Sequence, residues 1–432
     1  MSSFVHAAVA RLMQARPIFP AKAFDGPVVW WCGSLCCGGV ERQIGETAKI
    51  LSSHGVPLRL LVGDLRRQRG NDFFLENVSP YFTDVSSAAS REFFLPKHVN
   101  ALTGAFEALG PMPKYMWLHF LHCGLGLLHY RPKVFQIWNA DYFEIALVAA
   151  IAGVPDIIVA ARSMSPDMRY PEGHESVDDS LAHGVYSELI KSGKFHFTAN
   201  SRAGCAAYEK WLGLEADSVV YTPNVFAPME KTDNFSEQAR LLRAELGIPE
   251  TAKVLGGLIR FVGIKDPGLW VSAALHVLQD MPEAYAVLGG DGPLRAEAMA
   301  LVEQFGASER MLFPGIIRQA DAFWEMIDVA MLTSHVEGMP NVLIEAQRHG
   351  KPVVTTDAGG AGDIVIHDAT GYVLTKRHPL LLAKHVESIF NNPGWAHAAG
   401  ERARQHIEET FTGSGAVANL LALYEKLHVA HG

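Results

Sequence analysis

One stretch, Met331 to Asp357, limits what this chain can fold into more than any other. Val329 to Leu332 is an apolar run of strand length. A polar loop follows, Pro340 suits a first helical position, and Gly350 with Pro352 ends the helix before Val353 to Thr356 resumes a strand. Strand, helix and strand in so short a span make a βαβ unit, which demands a parallel sheet. Open sheets of that kind bind ligands at their carboxyl edge, where the loop and the helix start would lie. Free amides around Gly338 to Val342 would leave the helix end together with its positive dipole, which favours a phosphate. Glu337 sits in the loop, and Glu345 falls about a turn into the helix.

Two carboxylates beside a phosphate site need a reason, because each repels the anion that the helix end attracts. A nucleotide-sugar supplies one. Its ribose offers two adjacent hydroxyls that a carboxylate accepts together, and its sugar carbon becomes cationic as the diphosphate departs. On this reading Glu345 holds the ribose and Glu337 faces the sugar. The plain alternative is that Glu337 caps a helix and Glu345 lies on its solvated face, since surface carboxylates are common.

The spacing E-x7-E from Glu337 to Glu345, followed by G-K-P-V-V-T-T-D from Gly350, resembles the signature of the retaining glycosyltransferases of family 4. That resemblance implies the α/β GT-B fold: two doubly wound Rossmann-like domains facing a cleft, with a last helix crossing back to the first. Further segments fit in order. Gly38-Gly39-Val40-Glu41-Arg42 resembles the family's GG-x-E-R loop, which lies under the diphosphate and near the acceptor. Arg260 and Lys265 match its R-x4-K spacing, and Gly290 to Pro293 its G-x-G-P loop lining the nucleotide cleft. Gly315 to Arg318 falls where relatives contact the base. Two cations at one strand end can grip a diphosphate from opposite sides and stabilise the charge that grows as it leaves; a pair of ordinary surface cations is the bland reading.

The chain also departs from the family. Two strands of the first half are commonly followed there by histidines near the acceptor and donor sugar. Here Gln136 and Trp138 stand near the first place and Arg162 occupies the second. Arginine is a poor proton acceptor, its pKa lying above ~12, so Arg162 is a contact candidate on the acceptor side and not a base.

Length sets the domain count. With 432 residues the chain is too long for one core and fits two domains of roughly 200 residues. The boundaries fall at 1–230, an acceptor-side domain; 231–410, the nucleotide-sugar domain; and 411–432, a helix packing back on the first. A net charge of −9 does not fit a dedicated nucleic-acid binder. Cys32, Cys36, Cys37, Cys123 and Cys205 are odd in number and irregularly spaced, so neither a disulfide framework nor a zinc site is expected, and a reducing cytoplasm is.

Three stretches bear on membranes. Met1 to Arg16 is amphipathic and interrupted by charge, fitting a helix on its own domain or one lying on a membrane surface. Arg59, Arg66, Arg67 and Arg69, with Lys97 and His98, could draw anionic lipid or form a solvated loop. Met116 to Leu128 is apolar but too short to span a bilayer, and its histidines lack a carboxylate partner fixed by sequence.

The residues and the resemblance together imply a retaining transferase that moves a sugar from a nucleoside diphosphate donor, UDP favoured, to a glycan or lipid-linked acceptor in bacterial surface polysaccharide or lipopolysaccharide synthesis. No metal or other cofactor is expected, because the cations and amides do the work of a divalent ion, and no nucleic acid is. Peripheral contact with the inner membrane is compatible with the pattern. A nucleotide-sugar epimerase of the same fold and a non-catalytic scaffold are the competing readings.

Overall fold

The computed structural model describes residues 17–36, 38–67, 70–107, 114–169, 177–229, 234–427 and 429. The helix expected over Met1 to Arg16, together with Cys37, Arg69 and residues 230–233 of the linker, lies outside the described residues. The chain forms two compact units, Met1–Ala227 with Gly413–Gly432, and Pro228–Thr412.

The first unit is a seven-stranded, fully parallel sheet in the order β3-β2-β1-β4-β5-β6-β7. The strands are β1 (Val28–Ser34), β2 (Leu58–Asp64), β3 (Asp84–Ser87), β4 (Val134–Ile137), β5 (Asp156–Ala161), β6 (Phe195–Ala199) and β7 (Val220–Tyr221). Neighbouring side chains on a strand point to opposite faces, so a sheet covered on both sides must be apolar at every position. The tryptophan pair in β1 shows this: Trp30 and Trp31 are 0% and 1% exposed and enter different core clusters. Trp31 packs with residues of α2 (Lys114–Tyr130) and α3 (Phe143–Ala152). Trp30 packs with Ile44, Ala48 and Leu51 of α1 (Gly39–Ser53) and with Leu420 and Tyr424 of the final helix, Gly413–Lys426.

That final helix is held by more than apolar contact. The Tyr424 hydroxyl accepts a hydrogen bond from Trp30 Nε1 at 2.8 Å and donates one to Gln136 Oε1 at 2.6 Å, all three side chains being buried. A polar group inside a core is costly unless it is paired, so this chain of bonds fixes where the helix docks. Gln136, which stands near the first of the places where relatives carry a histidine, therefore serves the core of the unit.

Several expectations about this unit change. Strand β7 is only two residues long, and Pro223 just beyond it has no N–H to continue the ladder. His119 has a carboxylate after all: Glu144 of α3 comes within 3.6 Å of its Nδ1. In the arginine-rich stretch Arg66 pairs with Asp64 at 2.5 Å and Arg67 with Asp72 at 3.6 Å. His98 is buried, and that burial, with Lys97 and Arg131 nearby, pushes its pKa down, so it adds no surface charge beside Lys97. No helix among the described residues is long and apolar enough to cross a membrane. Cys32, Cys36, Cys123 and Cys205 are unbridged.

The second unit is a six-stranded parallel sheet in the order β10-β9-β8-β11-β12-β13. Its elements run β8 (Lys253–Leu258), α4 (Pro267–Asp280), β9 (Ala284–Gly289), β10 (Met311–Leu312), α5 (Ala320–Met326), β11 (Val329–Leu332), α6 (Asn341–Arg348), β12 (Val353–Thr356) and β13 (Gly371–Leu374). The βαβ unit read from the sequence is β11-α6-β12, with β11 and β12 paired through Ala330–Val353, Met331–Val354 and Leu332–Thr355. Pro340 is the N-cap of α6, so the helix begins at Asn341, one residue later than expected.

Helix α6 is clamped at its far end. Buried His349, its C-cap, contacts Asp321 at 3.1 Å and Glu325 at 3.0 Å, one through each ring nitrogen. Burial opposes the charged imidazole, but the two carboxylates outweigh it and raise the His349 pKa. An imidazolium at a helix carboxyl end also meets the favourable pole of the dipole. A raised folded-state pKa contributes stability that is complete below the unfolded value of about 6.5 and is lost as pH rises through the folded one. His349→Gln is therefore expected to lower the melting temperature more at pH 6 than at pH 9, as followed by circular dichroism. An equal loss at both values contradicts the charged clamp.

Candidate functional site

Strands β8 and β11 pair through Val329–Leu255 and Ala330–Gly256, so the loops leaving them meet at one carboxyl edge. Lys265 closes a short 3-10 turn, Gly263–Lys265, beyond β8. Asp266 follows with φ of 47°, in the left-handed region, and its carboxylate caps α4 by accepting from Leu269 N at 3.0 Å. A polar residue placed there, held by its surroundings, stores backbone strain next to Lys265.

The loop after β11 is sewn onto this turn. Thr333 Oγ1 donates to the Asp266 carbonyl at 3.0 Å, and His335 N donates to the Ile264 carbonyl at 2.8 Å. Glu337 N donates to the Ala358 carbonyl at 2.7 Å, which ties the same loop to the one leaving β12. The Glu337 carboxylate then accepts from Ser334 Oγ at 2.6 Å and forms a close ion pair with Lys265 Nζ. Lys265 and Glu337 are 18% and 11% exposed, enough enclosure to strengthen their attraction while leaving part of each facing solvent.

Arg377 braces the arrangement from behind. It donates to the Ser334 carbonyl at 2.7 Å, the Thr333 carbonyl at 2.9 Å and Asp266 Oδ2 at 2.5 Å. Thr356 Oγ1 adds a bond to the Ser334 carbonyl at 2.7 Å. Ser334, Asp266, Arg377 and Thr356 are site residues that sequence reasoning missed. Only Asp266 carried a signal, as the acid before Pro267 in a cap-and-first-turn pattern.

Arg260 and Lys265 do not act as a matched pair of free cations in this state. Arg260 is exposed and has no side-chain hydrogen bond or ion pair among the described residues, whereas Lys265 is engaged by Glu337. Gly338, Met339 and Pro340 are buried at the entrance to α6, with Asn341 and Val342 half-buried in its first turn. Glu345, one turn on, accepts from Trp324 Nε1 at 3.1 Å, which orients its carboxylate.

The glycine loop after β9 needs its glycines. Gly290 has φ of 123°, and a Cβ there would stand 1.8 Å from the Ile259 carbonyl oxygen. Gly292 has φ of 150°, with the Phe261 carbonyl 2.7 Å from where its Cβ would be. Gly290 N bonds the Gly315 carbonyl at 2.7 Å and Phe261 N bonds the Asp291 carbonyl at 2.9 Å, so the segments after β8, β9 and β10 lie against one another. Arg318, farther along the last of these, is exposed and makes no side-chain bond among the described residues.

The remaining candidates belong to the first unit. Gly38 is the N-cap of α1 and Gly39 its first residue; a Cβ at Gly38 would meet Glu41 Oε2 at 2.2 Å, so the glycine makes room for that carboxylate. Arg162 follows β5, with its guanidinium 4.2 Å from the centre of the Trp138 ring and an NH1 bond to the Thr222 carbonyl at 3.4 Å. Burial pushes the Arg162 pKa down to about 9, still high enough to keep it charged at neutral pH. Trp138 thus becomes the floor under Arg162 in place of the histidine expected from relatives.

A family model described as glycosyl transferases group 1 matches residues 238–406. The Vi polysaccharide biosynthesis protein VipC/TviE of Salmonella typhi is 30% identical over 429 residues, which cover 91% of this chain and 70% of that protein. The D-inositol 3-phosphate glycosyltransferase of Corynebacterium urealyticum is 29% identical over 414 residues, 91% of this chain and 92% of that one. Among solved structures, Anabaena HepE in complex with UDP and glucose superposes with a TM-score of 0.69 at 18% identity, over 94% of this chain and 100% of that one. The chain belongs to the glycosyl transferases group 1 family and is a glycosyltransferase of GT-B fold.

The glycine loop provides a direct check of the edge geometry. Gly290→Ala forces a side chain onto the Ile259 carbonyl at a backbone angle that alanine resists. Destabilisation of roughly 1–3 kcal/mol is expected from urea melts. A variant as stable as the parent contradicts the close approach.

Proposed function

We propose that this enzyme moves a sugar with retention from a nucleoside diphosphate sugar, UDP favoured, to a glycan or glycolipid acceptor in bacterial surface polysaccharide or lipopolysaccharide synthesis. The observation that carries the reading is the Lys265–Glu337–Ser334 cluster, set at the mouth of α6 and on the carboxyl edge between β8 and β11. The similarity of the glutamate pair to the family 4 signature supports retention. Support for the donor comes from the description of HepE as a complex with UDP and glucose, and support for the setting from the name of VipC/TviE.

In the proposed reaction the diphosphate lies against Lys265, Arg260 and the amides opening α6, and Glu345 holds the ribose. The bond from the anomeric carbon to the phosphate oxygen lengthens as negative charge gathers on the diphosphate, which the cations stabilise. An acceptor hydroxyl attacks from the same face, and its proton passes to the departing phosphate oxygen. Glu337, held by Lys265 and Ser334, steadies the positive charge that builds on the sugar. The cations and amides take the part of a divalent ion, so no metal enters the scheme. Gly290, Gly292 and Arg318 are assigned to the nucleotide, Gly38 and Gly39 to the diphosphate and acceptor, and membrane contact is assigned to the acceptor-binding half.

Turnover tests this assignment. With UDP-sugars as donors, Glu337→Gln is expected to lower kcat by about 10²–10³-fold with little change in KM, because the carboxylate is used mainly in the transition state. Activity is expected to survive EDTA. Full activity in Glu337→Gln contradicts the role given to that carboxylate. Conversion of the donor to a new sugar nucleotide without acceptor identifies an epimerase, and nucleotide binding with no turnover of any donor identifies a scaffold.

A further inference from the structure

Unpartnered polar atoms gather at the carboxyl edge of the sheet in the first unit. Register pairs Ala161 of β5 with Ala199 of β6, and Ala199 with Tyr221 of β7, so Arg162, Asn200 and Thr222 are the next residues on three adjacent strands. Arg162 Nε, Asn200 Oδ1 and Thr222 Oγ1 are enclosed and have no hydrogen-bond partner among the described residues, and the same holds for Trp138 Nε1. Gln43 of α1 adds another: its Oε1 accepts from Val225 N at 2.5 Å, while its Nε2 has no partner. Asn200, Thr222, Gln43 and Trp138 are each buried.

Orphaned polar groups inside a protein are costly, and five at one sheet edge are not an accident of packing. Arg162 makes the case sharper. It stacks on Trp138 and touches the Thr222 carbonyl, yet it forms no ion pair with a carboxylate among the described residues. A largely enclosed cation without an anion destabilises the fold unless something outside the chain supplies the charge. Arginine also suits the task, since its planar fork takes carboxylate or phosphate oxygens two at a time.

We infer that this edge binds an anionic substituent of the acceptor sugar, a carboxylate or a phosphate, with Arg162 as its counter-charge and Gln43, Asn200 and Thr222 hydrogen-bonding the rest of the sugar. The inference rests on the reading of the chain as a sugar transferase and names the class of its acceptor. It also explains the arginine found where relatives have a histidine: a neutral sugar calls for an uncharged partner, an acidic one for a cation.

Saturation-transfer NMR on the full chain tests it, with galacturonic acid against its methyl ester, and glucose 6-phosphate against glucose. The wild type should bind one acidic sugar about tenfold tighter than its neutral counterpart, the minimum expected for a charged hydrogen bond. The pair that discriminates tells carboxylate from phosphate. Arg162→Met, which keeps the volume and removes the charge, should abolish the preference, and Arg162→Lys should retain part of it. Equal binding of acidic and neutral sugars by the wild type overturns the inference whether or not the variants fold, as does an Arg162→Met protein that folds and keeps the preference. UDP added to the same samples separates the two proposals. A UDP-induced rise in melting temperature without acid preference removes only the acceptor assignment, whereas no response to UDP removes the donor assignment.

Discussion

The ion pair between Lys265 and Glu337 is the contact around which the second unit's edge is arranged. Each partner stands on a loop that has no reason of its own to hold one shape. The pair is made definite by bonds from outside it: Thr333 to the turn at Asp266, Glu337 N to the loop after β12, and Arg377 to three acceptors at once. Charges held this way need little reorganisation when a new charge develops beside them, which is the physical basis of electrostatic catalysis. The pair also lets two opposite charges stand at an edge proposed to take a diphosphate without either being left uncompensated before substrate arrives.

The first unit solves a different problem. Its sheet is largely apolar on both faces, and the bonded chain of Trp30, Gln136 and Tyr424 carries polar groups into its core. That chain anchors the last helix in the unit that opens the sequence, which places Gly413–Gly432 with Met1–Ala227. Where the strands end, Arg162 Nε, Asn200 Oδ1 and Thr222 Oγ1 are enclosed and without a hydrogen-bond partner among the described residues.

Much of this could be read from the sequence because buried parallel strands and their glycine turns leave strong local marks. The βαβ alternation, the two-sided burial of β1 and the carboxylates at Glu337 and Glu345 needed only neighbouring residues. What was not legible was partnership across distance. Arg377 lies 111 residues from Asp266 and 43 from Ser334, and nothing local marks it as more than a surface cation. Lys265 read as one of two phosphate-gripping cations, and its bond to Glu337 appears only when the register of β8 and β11 is known. Gln136 lay near a ligand position by spacing, yet Tyr424, 288 residues away, turns it into the core. For the basic stretch around Arg66, the ion pairs of Arg66 with Asp64 and of Arg67 with Asp72 are likewise visible only in the folded loop.

Isothermal titration of UDP and of UMP against the wild type and Arg260→Ala tests the central claim most directly, since the two ligands differ only in the phosphate assigned to Arg260, Lys265 and the opening of α6. If those groups hold the diphosphate, UDP binds the wild type at least about tenfold tighter than UMP, a gap of ~1.4 kcal/mol, and the gap narrows in the variant. Equal affinity for UDP and UMP in the wild type would contradict the assignment of that edge to a diphosphate.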